Sequence, residues 1–227
     1  FFSERERKYV LDTYSVIAPA FSHTRGYLWQ CIQDAILAIQ PHDVVIEVGC
    51  GNGKNIRSIV RRDVYSLGVD IIPYFLEETY VKGRTEACLG SNIKLPLRSG
   101  IAQMVWSVAV IHHLDSRARR IQALYELLRI VAPGGHLLVV VWALEQEPDS
   151  KRQFLDRSGA CDESQQDRLI DWNNPEKTHT RYRYYHLFKK GELESLLYDI
   201  PLFCNNFTMC TTWYERGNWA IYCKRST

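Results

Sequence analysis

VVIEVGCGNG, running from Val44 to Gly53, decides the fold. Apolar β-branched residues fill four of its first five positions, which predicts a strand over Val44 to Val48 buried on both faces, as in a parallel α/β sheet. Gly49, Gly51 and Gly53 then alternate through a turn, removing Cβ atoms where the chain needs unusual dihedrals and where a ligand must approach the main chain. A helix is expected from Lys54 through Val60, with its free N–H groups aimed back at the turn. A dinucleotide site would need GxGxxG with pyrophosphate on the helix N-terminus. The spacing here is GxGxG, and Glu47 stands two residues before the first glycine, beside which a cation sits better than a pyrophosphate.

Working outward, Val64 to Val69 reads as a second strand ending in Asp70, about 20 residues past the glycines, where a carboxylate can accept both hydroxyls of a ribose. Ile71 and Ile72 offer apolar cover for an adenine. A third strand is expected over Glu86 to Leu89, a fourth over Met104 to Ile111 running into His112-His113, and a fifth over His136 to Val141 after the helix stop Ala132-Pro133-Gly134-Gly135. Ligands sit at the carboxyl ends of strands in such sheets, so at least one of the two histidines should face a substrate. No third ligand at useful spacing makes them a metal site. Ser116 caps a helix whose Ile121, Leu124, Leu128 and Val131 share one face; Arg117, Arg119 and Arg120 cluster at its start, as a solvated face or an RNA patch.

Before the core, Val10, Tyr14 and Ile17 and then Trp29, Ile32, Ile36 and Ile39 follow helical spacing, with Pro19 expected to break the first helix and Ser22 and Thr24 available to cap the second. Past the core, periodicity vanishes from Glu145 to Thr180, which reads as a mobile polar insertion. A short helix over Gly191 to Leu197 and a hairpin of Phe207 to Tyr214 with Asn218 to Cys223 follow.

At 227 residues with 46% hydrophobic and 24% charged residues, the chain suits one α/β domain. That domain divides into an N-terminal helical lid (1–43), a core (44–144), the insertion (145–180) and a substrate-side segment with the hairpin (181–227). A net charge of +2 does not indicate a strongly basic nucleic-acid binder. Seven cysteines without a CxxC pair predict reduced thiols in an intracellular protein. No apolar run approaches the roughly 18 residues of a membrane span. The chain opens on Phe1-Phe2 rather than Met, as expected of a domain cut from a longer protein.

The glycine stretch with its acidic residue resembles the first motif of class I S-adenosylmethionine-dependent methyltransferases. That resemblance implies a Rossmann-like, mostly parallel seven-stranded sheet with one antiparallel strand. FSHTR with Trp29, SVAVIHHLDS followed by APGG and VWALEQE, and RYYHLFKKGELE resemble more narrowly the eukaryotic tRNA methyltransferases that esterify 5-carboxymethyluridine at the wobble position, including the domain fused to AlkB-type dioxygenases. The resemblance implies S-adenosylmethionine as cofactor, S-adenosylhomocysteine as product, and cofactor contacts from Glu47, Gly49, Gly51, Gly53, Asp70, Ile71, Ser91, Asn92 and Val108. Around the substrate it implies Arg25, His112, Trp142, Arg181, Arg183 and His186.

The partners implied are a tRNA anticodon loop and a small zinc-binding activator protein, in a heterodimer docked near the third strand and Ile72, Tyr74, Phe75 and Leu76; the implied location is cytoplasmic or nuclear, with no membrane. Ser91 stands where the family has Asp, Gln103 replaces another Asp and Gln30 a Pro. Serine offers adenine a weaker, uncharged acceptor, leaving recognition to the backbone at Asn92 and Ile93. A small-molecule O- or C-methyltransferase and a non-catalytic RNA-binding relative are the alternative readings.

Overall fold

The computed structural model of the chain describes residues 2–24, 28–61, 63–83, 85–147, 166–172 and 181–227. Ser3 caps α1 (Glu4–Glu6) by accepting the Glu6 N–H, and the backbone runs on through a π-helical turn, Arg7–Leu11, into α2 (Asp12–His23). Pro19 lies inside α2 and does not break it. The proline and Ser15, whose carbonyl loses its partner, are on the exposed face, where water can replace the missing bond. The next helix, α3 (Gln30–Ala38), starts at Trp29 without a side-chain cap; the Thr24 hydroxyl instead donates to the Phe21 carbonyl.

Strand β1 (Val44–Val48) is as expected, but only a 3-10 turn, Ile56–Ser58, follows the glycines in place of the helix. Glu47 takes the first donors of that turn, accepting from the Asn55 side chain at 2.7 Å and the Ile56 N–H at 3.1 Å, and the chain is extended again by Ile59. Next come β2 (Tyr65–Asp70), α4 (Pro73–Gly83), β3 (Glu86–Leu89) and β4 (Ala102–Val108). β4 ends three residues earlier than expected because Ala109 adopts φ +61° and Ile111–His113 curl into a 3-10 turn. Ser116 caps α5 (Arg117–Ile130), accepting from the Arg119 N–H. β5 (Val131–Trp142) begins directly behind it. Ala132 to Gly135 therefore belong to the strand, where Gly135 lets three carbonyls approach to 2.9 Å of where a Cβ would stand.

The segment expected to be a mobile polar insertion contains a strand, β6 (Asp167–Trp172), which pairs antiparallel with β7 (Arg181–His186) in a separate ribbon. The ribbon docks through the Thr13 hydroxyl, which donates to the Tyr182 carbonyl, a long-range partner that periodicity within 145–180 does not reveal. After α6 (Glu192–Tyr198) and α7 (Pro201–Asn206), β8 (Phe207–Tyr214) and β9 (Asn218–Arg225) form the hairpin. The main sheet has the order β3-β2-β1-β4-β5-β9-β8, all parallel except β9, which enters antiparallel between its neighbours.

Apolar side chains cover both faces of this sheet. Ile46, Val48 and Val139 meet α5, α6 and α7 on one face, while Val45, Met104 and Trp106 meet Ile32 and Ala35 of α3 on the other. A third cluster, Tyr14, Ile17, Ala18, Ile72, Phe75 and Trp172, packs α2 over the start of α4. Ile72 and Phe75 are thereby buried under the N-terminal helix, so they are not an exposed docking patch. That helix is latched to α5: buried Glu6 accepts from the Arg119 guanidinium at 2.7 and 2.5 Å and from the Asp115 N–H at 3.1 Å. Arg117 pairs with Asp199, and Arg120 donates to the Leu114 carbonyl at 2.9 Å. Arg119 and Arg120 are thus held by intramolecular contacts, while Arg117 stays half exposed in its ion pair.

Gly53, at φ +72°, serves packing: a Cβ there would stand 2.6 Å from Thr79 Oγ1 on α4. Gly53→Ala is expected to cost about 1–3 kcal/mol in urea unfolding, from overpacking and a strained dihedral; an unchanged midpoint would contradict this role.

Candidate active site

A cavity of about 480 Å³ opens at the carboxyl ends of β1, β2 and β4, roofed by α2. At one end Gly49 (φ +78°) and Cys50 donate their N–H groups to the Val69 carbonyl at 2.7 and 3.0 Å, pinning the glycine turn across β2. Gly51 (φ +54°) then faces open space: no atom lies within 4 Å of where its Cβ would be. Asp70 holds this geometry, accepting from the Gly51 N–H and the Ile72 N–H at 2.9 Å each. Burial raises the Asp70 carboxyl above its ordinary range, and burial pushes Glu47 up to about 7 against the hydrogen bonds from Asn55 and Ile56. Two buried carboxylates beside a backbone that leaves room for a ligand suit a molecule bringing hydroxyls to one and a cation to the other.

Glu47, Gly49, Gly51, Asp70, Ile71, Asn92 and Val108 all line the cavity, as expected for the cofactor half. Two expected contacts do not. Gly53 is turned onto Thr79, and Ser91 accepts a long 3.5 Å bond from the Ile93 N–H, leaving Gly90 and Asn92 on the wall. These residues fit S-adenosylmethionine. Asp70 would take the ribose hydroxyls, Glu47 the amino end, and Ile71 with Asn92 the adenine.

The opposite end is lined by His112, His113, Trp142, Tyr185 and Tyr14. His112 is buried, and its Nδ1 accepts the Trp142 backbone N–H at 3.2 Å, so the neutral ring carries its proton on Nε2. Trp142 stacks on Tyr185 at 4.4 Å and 17°. Arg183, expected at the substrate, is 5% exposed and lies behind that wall, with its guanidinium carbon 5.3 Å over the Tyr185 ring and 5.1 Å over Trp172. His186 is not at the cavity: its two nitrogens stand 2.7 Å from Asp167 and from Glu192, and those carboxylates raise it above the ordinary histidine value although burial opposes them. Arg181 opens β7 opposite Trp172 and does not line the cavity, while Arg25 lies outside the described residues. Tyr14 was not among the expected site residues, and of the two histidines, at least one of which was expected here, both line the cavity. The stripe Val10, Tyr14, Ile17 that reads as core packing is the signal that carried Tyr14 here.

Because the Glu47 carboxyl is mostly protonated below pH 7 in the empty cavity, a cationic ligand beside it must expel that proton. Affinity for S-adenosylmethionine is therefore expected to fall as pH drops from 7 to 5, by up to about tenfold per unit, and Glu47→Gln should bind more weakly with a flat profile. Calorimetric titration across that range would show it; a flat wild-type profile would contradict it.

A family model described as a methyltransferase domain matches residues 46–139, from β1 into β5. The tRNA (carboxymethyluridine(34)-5-O)-methyltransferase of Schizosaccharomyces pombe is 30% identical over 98% of this chain and 99% of that protein. The Xenopus tropicalis protein of the same name, alkbh8, is 31% identical over 96% of this chain, which spans 41% of its length. Among solved structures, a SAM-dependent methyltransferase from Methanosarcina mazei superposes with a TM-score of 0.63 at 19% identity, covering 88% of this chain and 98% of that one. A Haloferax volcanii methyltransferase solved with its Trm112 methyltransferase activator does so with 0.64 at 14% identity, covering 95% and 97%. The fold is that of the class I S-adenosylmethionine-dependent methyltransferases, and the chain belongs to the tRNA (carboxymethyluridine(34)-5-O)-methyltransferase family.

Proposed function

We propose that this domain methylates the carboxylate of 5-carboxymethyluridine at the wobble position of tRNA, giving 5-methoxycarbonylmethyluridine and S-adenosylhomocysteine. The observation that carries the reading is the continuity of one cavity, in which the cofactor half built on Glu47, Gly51 and Asp70 runs into an aromatic, histidine-lined half at the end of β4. Bound S-adenosylmethionine supplies an electrophilic methyl group. The attacking carboxylate has an ordinary pKa of about 4, so it is already ionised and requires no general base. A carbon–oxygen bond forms as the carbon–sulfur bond breaks, and the sulfonium charge and the carboxylate charge disappear together.

What the chain must provide is alignment and exclusion of water. His112, neutral with a proton on Nε2, can hold the non-reacting carboxylate oxygen by a hydrogen bond without quenching the nucleophile. The Trp142–Tyr185 stack offers a flat wall for an unpaired base. Arg183 charges that wall from behind through its cation–π contact with Tyr185.

The reading extends to a partner. β3 is an edge strand whose Leu89 is 59% exposed, next to α4 with Tyr80 61% exposed. An open edge with apolar neighbours suits a small zinc-binding activator that adds a strand, and a complex with an activator is known for the Haloferax neighbour. A cytoplasmic or nuclear location goes with a tRNA substrate.

The test is transfer of labelled methyl groups to a carboxymethyluridine anticodon stem-loop, with and without the activator, followed by mild alkali. Label released by alkali from the wobble nucleotide is expected. Alkali-stable label would mean ring or ribose methylation, and transfer only to small acids would favour a small-molecule enzyme.

A further inference from the structure

Two adjacent histidines at the end of β4 are locked in opposite tautomers. His112 accepts a backbone N–H at Nδ1, so its proton is on Nε2. His113 Nδ1 lies 2.7 Å from the Tyr184 carbonyl, which can only accept, so here the proton is on Nδ1. Burial, reinforced by the nearby Arg183 guanidinium, pushes His113 down to about 3, so the ring is neutral and Nε2 holds a lone pair. The Tyr14 hydroxyl is 3.1 Å from that nitrogen and must donate to it. With its only proton committed to His113, the Tyr14 oxygen has lone pairs to offer, and its other polar neighbours are the Arg183 guanidinium and the Tyr185 hydroxyl at 3.5 Å.

Tyr14 lines the substrate end of the cavity, fixed by edge contacts with Phe21 and His113 at 5.3 Å each. Resting on the function proposed above, we propose that Tyr14 reads the base of the substrate nucleoside, its acceptor-only oxygen receiving the ring N3–H of uracil, and that His113 is the positioning residue that sets this polarity. A uracil glycosylated at N1 carries one ring N–H, at N3. Cytosine presents a lone pair at that position, so lone pair would face lone pair across the contact. The carboxymethyl group marks which uridine is methylated; Tyr14 ensures that the ring bearing it is a uracil.

The experiment measures kcat/KM for two stem-loops that differ only in the wobble nucleoside, 5-carboxymethyluridine against 5-carboxymethylcytidine, together with the Kd for S-adenosylhomocysteine. Wild type should prefer uracil by at least about 100-fold, since a site built around a hydrogen bond rejects partners that leave it unmade. Tyr14→Phe should cut the uracil rate and reduce the preference at least about tenfold, with the cofactor Kd unchanged within about twofold. His113→Phe keeps the hydroxyl but frees its proton to turn toward cytosine N3, so the cytosine rate should rise above wild type, a gain that mere loss of packing does not produce. A Tyr14→Phe preference equal to wild type overturns the inference while leaving the proposed function standing, as does a tenfold weaker cofactor Kd, which would assign Tyr14 to the cofactor. Absence of transfer to either stem-loop by wild type overturns the proposed function and this inference with it.

Discussion

The site depends on two carboxylates kept out of water. Glu47 is the penultimate residue of β1 and Asp70 ends β2, and between them they accept the Asn55 side chain and the backbone N–H groups of Ile56, Gly51 and Ile72. Each bond fixes a piece of irregular backbone that no helix or sheet would otherwise hold. The cost is desolvation, visible in the raised carboxyls of both residues. A ligand that brings a cation and paired hydroxyls relieves that cost, so the same interactions that shape the empty turn also select its occupant.

A second constraint acts at the far end of the cavity, where the N-terminal helix, the 3-10 turn after β4 and the β6–β7 ribbon converge. The backbone groups of Trp142 and Tyr184 set the histidine tautomers, and His113 in turn sets the direction of its hydrogen bond with Tyr14. The ribbon is held from outside by His186, whose two nitrogens both meet carboxylates, so the imidazolium with two donors satisfies the contact best. Position in the sequence says that His186 is near the substrate segment. Its partners say that it is a clasp.

Much of this was legible in the sequence because it is local. β1 shows as a run of β-branched residues, β3 and the C-terminal hairpin as short strands between turn residues, and the cofactor residues by their distance from the glycines. What was not legible depends on contacts distant in the chain. Asn55 and Ile56 look helical until Glu47 takes their donors, and Pro19 looks like a breaker until its exposed position is known. Asp167 to Trp172 look like linker until β7 pairs with them, and Arg183 looks like a substrate cation until Tyr185 and Trp172 close over it. Tyr14 shows the converse. Its helical spacing marks it as core, which it is, and only the His113 contact gives its hydroxyl a direction.

The most direct measurement is a crystal structure of the domain with S-adenosylhomocysteine and an anticodon stem-loop bearing 5-carboxymethyluridine. Ribose hydroxyls on Asp70, the amino group at Glu47, and the carboxylate within hydrogen-bond reach of His112 Nε2 are expected, with the uracil on the wall formed by Trp142 and Tyr185. A wobble base bound outside the cavity, or a carboxylate pointing away from the cofactor sulfur, would contradict it.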